Sequence, residues 1–352
     1  SGYASVQEDS LKGTVRFWAK NLLKQDLHPG GDQIAEPKGN YVMVWDFRSG
    51  RVIKKLGDRN AGMVTTKYSP DGKMLATAGG DRAIRLWNTE TWELLKTLKG
   101  HTATVLSLNF SQDGKYLVSG GWDYMTFVWD IENGNIYGRY KIHENGSPVT
   151  VSFMPGDLYL ITGGLDQKLK MTDVDTGEEV RDLIGHRTHV VALDYNPDGT
   201  ELLTGSWDGN AKLWNLSTGL QKIRLSGHKG PVYDVCFSHN GNWTATGSWD
   251  KTAKVWDAKS GKIVHDLKGS TGAIVSVNFT PDDKYLITKS REGTTRIWNL
   301  DNGFEVFSQV ITEESEWLAK TPSGHFYATD QAKRSVFFVR GMESYNIERF
   351  FD

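Results

Sequence analysis

The residues from Gly227 to Asp257 set the pattern for the chain. Short runs rich in β-branched and aromatic residues, at 232–237, 243–246, 252–256 and 262–267, are cut apart by His239-Asn240-Gly241, Ser248-Trp249-Asp250 and Lys259-Ser260-Gly261. Glycine and asparagine take left-handed backbone angles at little cost, so these separators read as turns. The pattern predicts four antiparallel strands, a to d, in one meander. Alternate turns of a meander fall on the same edge of its sheet. His228, in the loop entering strand a, and Asp250, in the b-to-c turn, therefore share an edge, with Thr246 on b and Trp256 on c between them. Buried polar groups need partners, and these four side chains are expected to supply them to one another.

The unit recurs. Taking the strand-c residue as marker gives Trp45, Trp87, Trp129, Thr172, Trp214, Trp256 and Trp298, spaced 42 residues apart and 43 once. Asp or Asn follows every marker, and Gly-His pairs stand at Gly100-His101, Gly185-His186 and Gly227-His228. A period kept in register over seven units is the signature of a repeat architecture. In its period and both dipeptides the chain resembles the WD-repeat (WD40) β-propeller family. The resemblance implies an all-β fold, a single propeller whose blades surround a central channel with strand a innermost. The residues agree with this independently. Strand a is apolar at most positions (Val105, Leu106, Leu108; Val190, Val191, Leu193; Ile274, Val275, Val277), as a strand buried on both faces requires.

The expected network is complete in three copies: His101, Ser119, Asp123 and Trp129; His186, Thr204, Asp208 and Trp214; His228, Thr246, Asp250 and Trp256. The copy between the first two keeps His143, Thr162 and Asp166 but has Thr172 at the marker. Arg59 replaces the histidine in the second copy, Ser270 and Glu292 stand in the seventh, and the first has none of it.

At the C-terminal end, residues 315–340 read as strands a, b and c of an eighth set without a strand d, and residues 14–18 (Thr-Val-Arg-Phe-Trp) form a spare strand at the other end. Pairing 14–18 with 335–339 would close the ring, so the sequence favours eight blades, with seven the alternative. The propeller is then 1–340, and 341–352 reads as an extension that could begin a linker to a further domain. Together with Glu316-Trp317-Leu318 and residues 324–327, that extension resembles the segment following propellers in bacterial proteins with a caspase-like peptidase domain.

Composition narrows the functional classes. A net charge of −2 argues against a broad phosphate-binding surface, hence against nucleic acid, and no apolar run is long enough to span a membrane. One cysteine, Cys236, permits no internal disulfide and fits a reducing, cytoplasmic setting. The nine histidines are spread along the repeats without converging carboxylates or thiols, so no metal and no cofactor is expected. Cys236 has no base and orienting group beside it in the sequence pattern, and no phosphate-binding glycine loop occurs. The b-to-c turn is more informative. Seven residues before the marker stand Trp122, Leu165, Trp207, Trp249 and Arg291 in successive copies, where Lys38 and Gly80 serve earlier ones. This arc on one rim is either a binding surface or a set of indoles folded down on their own blades. The expected function is a non-catalytic platform for a protein, a peptide or another domain of the same polypeptide. The alternatives are a sensor propeller of a caspase-like peptidase protein and, from another class, a propeller enzyme with a channel site. The oligomeric state is left open.

Overall fold

A computed structural model describes residues 25–46, 51–57 and 61–311, and further on 317–320, 322, 326–328, 337–340 and 343–346. Seven antiparallel sheets follow one another along the chain, spanning 26–56, 63–99, 105–140, 148–182, 190–226, 232–267 and 274–311. We call them blades 1 to 7. In blade 6 the strands are Val232–Phe237, Trp243–Ser248, Ala253–Asp257 and Ile263–Leu267, close to the sequence reading. Two irregularities recur. Strand a of blade 6 bulges between Val232 and Asp234, and the c–d pair bulges at Trp256. Bulges strengthen local twist, which splays each blade from its neighbour. The core lies between blades: Leu203, Leu213 and Leu225 of blade 5 pack on Val232, Val235 and Trp256 of blade 6, and the other blade pairs repeat this. The marker indoles Trp45, Trp129, Trp214 and Trp256 head the largest fully buried side chains.

The C-terminal residues do not make an eighth blade. Trp317–Lys320 pairs with strand d of blade 7, Glu305–Ile311, and Phe326–Ala328 pairs in turn with Trp317–Lys320, so blade 7 grows outward to six strands. Phe337–Arg340 forms a separate hairpin with Glu343–Asn346, and the spare strand expected at 14–18 lies outside the described residues. The expected pairing of 14–18 with 335–339 is not shown among the described residues. Blade 7 already meets blade 1 face to face, Ile287 and Ile297 packing on Ile34, Met43 and Trp45, which leaves no gap for another sheet. The sequence carried a hint of this. Lys320 stands where the full-length strands a end in Tyr68, Phe110, Phe153, Tyr195, Phe237 or Phe279.

The seam between blades 7 and 1 is built differently from the rest. Nine residues before the marker, blades 2 to 6 have Ala78, Gly120, Gly163, Gly205 and Gly247, whereas blades 1 and 7 have Glu36 and Lys289. Small residues are needed where strand a of the next blade comes close. A Cβ on Gly120 would lie 2.7 Å from the Pro148 carbonyl oxygen, and one on Gly247 would lie 2.7 Å from Ile274. Strand a of blade 1 is only Asp26–Leu27, so at the seam there is room for long side chains. Lys289 Nζ fills it, 2.6 Å from Glu36 Oε1, with both side chains buried.

Candidate functional site

The polar networks hold the loops that form the top rim, the edge bearing the b-to-c turns. In blade 6 the Trp256 indole N–H donates to Thr246 Oγ1 (2.9 Å), Thr246 lies 2.7 Å from His228 Nε2, and His228 Nδ1 lies 3.0 Å from Asp250. A neutral imidazole satisfies every member: the Thr246 hydroxyl donates to Nε2 and Nδ1–H donates to the carboxylate. Asp250 also accepts the Lys229 backbone N–H (2.9 Å), fixing the loop into strand a. Blade 5 repeats this with His186–Thr204 at 2.8 Å, His186–Asp208 at 2.9 Å and Trp214–Thr204 at 2.8 Å. Blade 3 does so with His101–Ser119 at 2.8 Å, His101–Asp123 at 3.0 Å and Trp129–Ser119 at 2.8 Å.

The incomplete copies show what each member contributes. Blade 4 keeps His143 at 2.8 Å from Asp166 and 2.9 Å from Thr162, but the Thr172 hydroxyl, where the indole should be, is buried without a partner. In blade 1 the Trp45 indole N–H is likewise buried and unpartnered. Blade 7 substitutes an arginine: Arg296 donates to Ser270 (3.0 Å) and lies 3.4 Å from Glu305 and 4.0 Å from Glu292. Position 59 of blade 2 lies outside the described residues.

These networks link stability to pH. Burial alone would raise the Asp208 and Asp250 carboxyls, but the hydrogen bonds from His186 and His228 outweigh it and hold both well below the usual range. Burial also lowers the His186 imidazole against the opposing pull of Asp208. All three shifts depress the folded value, so each contribution is present above the unfolded pKa and is lost as pH falls through the folded one. Denaturation midpoints are expected to stay level from pH 8 to 7. They should begin to fall below about 6.5, where unfolded histidine protonates, and fall more steeply below about 4. Asp208→Asn should flatten the acid limb in a pH series of urea titrations, and an unchanged limb would contradict this assignment.

Above the networks the rim residues lie on an apolar collar at the mouth of the channel. Val64, Leu106, Val149 and Val191, the second residues of successive strands a, form one buried cluster on which Trp122, Leu165 and Trp207 pack half-buried. In blade 6 the collar residue is Tyr233, buried at 3% exposure. It joins two rim indoles edge to face, 5.8 Å from Trp207 and 6.1 Å from Trp249. His189 meets the other side of Trp207 at 5.5 Å. At the far end the Arg291 guanidinium lies 5.5 Å over the Trp249 ring, within cation–π range. The result is a continuous aromatic arc across blades 5 and 6, capped by an arginine from blade 7. Trp249, at 42% exposure, is its most open indole. The sequence placed the turn residues together but missed Tyr233 and His189. Their signal is that Tyr233 is the one aromatic at a position otherwise held by Val or Leu.

The family model for the WD domain, G-beta repeat (WD40), matches residues 51–88, 92–130, 177–215, 219–257 and 261–299, more than half of the chain. The chain belongs to the WD40 family. No curated protein matches it. The matched segments of this WD40 propeller run from one strand d to the next strand c, and they leave out 131–176, the stretch in which Thr172 replaces the marker indole. Among the described residues of the WD40 propeller no His, Cys, Asp and Glu cluster could hold a metal ion. Among the described residues no helix is long and apolar enough to cross a membrane. Cys236 lines the channel, where burial, reinforced by Asp194 and Asp234, pushes its thiol well above the ordinary value.

Proposed function

We propose that the protein is a non-catalytic platform that seats a protein or peptide segment, or another domain of its own polypeptide, on the top rim between Trp207 and Arg291. The observation that carries this reading is the stack of Trp207, Tyr233, Trp249 and Arg291, which holds an exposed indole rigidly on a buried aromatic support. A fixed aromatic beside an arginine loses little side-chain freedom on binding, the usual makeup of an interface hot spot. Folding does not demand tryptophan there, since Gly80 and Lys38 occupy the position in sister blades. Burial keeps the Cys236 thiol protonated, so it is not the thiolate that a cysteine nucleophile needs.

The rim residues have different roles in this reading. Trp122, Leu165 and Trp207 seal the collar, while Trp249 and Arg291 meet the partner. Trp249→Ala should leave the unfolding midpoint within a degree or two and weaken a co-purified partner by about 2 kcal/mol, roughly thirtyfold. Trp207→Ala should lower both. Calorimetric melting with partner titration separates the outcomes, and a Trp249→Ala protein that melts early but keeps its partner would show the indole to be a packing residue only.

A further inference from the structure

Below the collar the channel changes character. A cavity of about 260 Å³ is bounded by the inner strands, with the carboxylates of Asp26, Asp194 and Asp234 and, as the one ammonium among the described residues, Lys67 on its wall. That lysine is already engaged, Nζ lying 2.9 Å from Asp26. Asp194 and Asp234 each take a backbone N–H from the next blade, Phe237 at 2.7 Å and Val277 at 3.0 Å, which fixes them in place. The Phe237 bond brings Asp194 no positive charge, and Asp194 makes no ion pair among the described residues. Gln25 lines the same cavity from blade 1, at the register of Asp234. It is 5% exposed, and neither its carboxamide oxygen nor its nitrogen has a partner.

A buried carboxamide without a partner typically costs about 1–3 kcal/mol per group, so a polar occupant is called for. The cavity is several times the roughly 30 Å³ share of one water. Apolar wall from Leu193 and Val235 lies beside the acceptors. A second cavity of about 480 Å³, between blades 3 to 5 on the bottom face, shares Lys67, Asn109, Leu193 and Asp194 with the first and gives a polar way in. We propose that the lower channel is a binding site for a small organic cation, a primary ammonium on a short aliphatic stem, held by Asp194 and Asp234 with the Gln25 carboxamide. An inorganic cation fits less well, because a hard ion favours several converging carboxylates and no group of three or more His, Cys, Asp or Glu that could hold a metal ion occurs among the described residues.

Burial pushes the Asp194 carboxyl up to about 6 against the opposing Phe237 N–H and Lys67, so an arriving ammonium relieves a real cost. The charged or titratable groups around it are Lys67 of blade 2, Asp234 and Cys236 of blade 6 and Asp26 of blade 1, with His28 and His239 also lining the cavity. Blades 3, 4 and 7 present the neutral Ser107, Asn109, Thr150 and Asn278. Loss of the Asp194 proton favours a cation, so affinity should rise as pH goes up through 6.

Calorimetric titration of the full chain at pH 7.5 and low salt tests this. The probes are 1,4-diaminobutane and Nα-acetyl-lysine amide, with 1,4-butanediol and potassium chloride as controls. One-to-one binding of either amine, with no heat from the diol and at most weak competition by potassium, is expected. Binding of the diamine alone identifies a free metabolite-sized ligand, and binding of the lysine amide as well admits a side chain. Asp194→Asn keeps an acceptor for the Phe237 N–H and should bind at least tenfold more weakly at an unchanged melting midpoint. Gln25→Leu should bind at least threefold more weakly, and it serves as the readout if the first variant does not fold. No saturable heat with either amine, meaning a channel filled by water only, or equal binding by the variants, would overturn the proposal.

Discussion

Glu36→Ala should destabilise the ring by about 3–5 kcal/mol, the usual result of leaving one member of a buried ion pair without its counter-charge. Lys289 would then keep only neutral acceptors, the Gly293 carbonyl at 2.9 Å and the Thr295 hydroxyl at 3.4 Å. The effect should be mostly charge rather than packing. Glu36→Gln with Lys289→Met, which removes both charges at similar volume, is therefore expected to lie within about 1–2 kcal/mol of the parent. Exposed pairs such as Lys73 with Asp71, 3.9 Å apart, set the contrast, since breaking one typically changes stability by less than about 1 kcal/mol. Urea titrations followed by tryptophan fluorescence measure all three. A Glu36→Ala protein as stable as an Asp71→Ala protein would mean that the seam is hydrated and the pair idle.

His228→Ala is expected to cost about 1–3 kcal/mol, since it takes one hydrogen-bond partner from each of two groups, Asp250 and the Thr246 hydroxyl. His265→Ala gives the comparison. A histidine on outer strand d reads in the sequence as dispensable, but His265 Nε2–H donates to the Leu300 carbonyl (2.7 Å) and pins blade 6 to blade 7. Its loss should cost about 1 kcal/mol, the worth of one ordinary hydrogen bond. The two variants are ranked by their urea midpoints, and equal losses would refute the four-member network as the reason for the His228 effect.

The repeat was legible because its unit is short and its chemistry local. Marker spacing, turn residues and strand a composition together give the meander, and alternate-turn geometry alone brings His228 to Asp250. What escaped was the detail of how one blade meets another. The blade number depended on whether Trp317–Lys320 lines the channel or joins the outer edge of blade 7, a choice made by how blade 7 meets blade 1 and not by the pattern of that segment. Tyr233 belongs to strand a by pattern, yet it acts on the rim because its ring crosses to indoles of two blades. Gln25 and Asp194 fall in different copies at different registers, and only closure of the ring puts them on one cavity. Pairing within a sheet follows sequence separation, whereas contacts across the channel do not. The Glu36 and Lys289 substitutions at a glycine register were visible all along, but their meaning rests on the two blades being neighbours.

That neighbourhood sets the order of assembly. The Ser276 hydroxyl, 3.5 Å from the Gln25 carbonyl, is 251 residues away from it along the chain, whereas neighbouring blades elsewhere touch across a few tens of residues. Loop-closure entropy grows with the logarithm of length, so bringing these ends together costs about 3 kcal/mol more than closing a ten-residue loop. Every other blade can dock on one just made, but this last contact must wait for all of them. An open crescent of stacked sheets, with Ile34 and Met43 bare at one tip and Ile287 and Ile297 at the other, is thus the natural penultimate state. Its two tips are cut to fit each other, and shutting them hides the last unsealed apolar surface of the core.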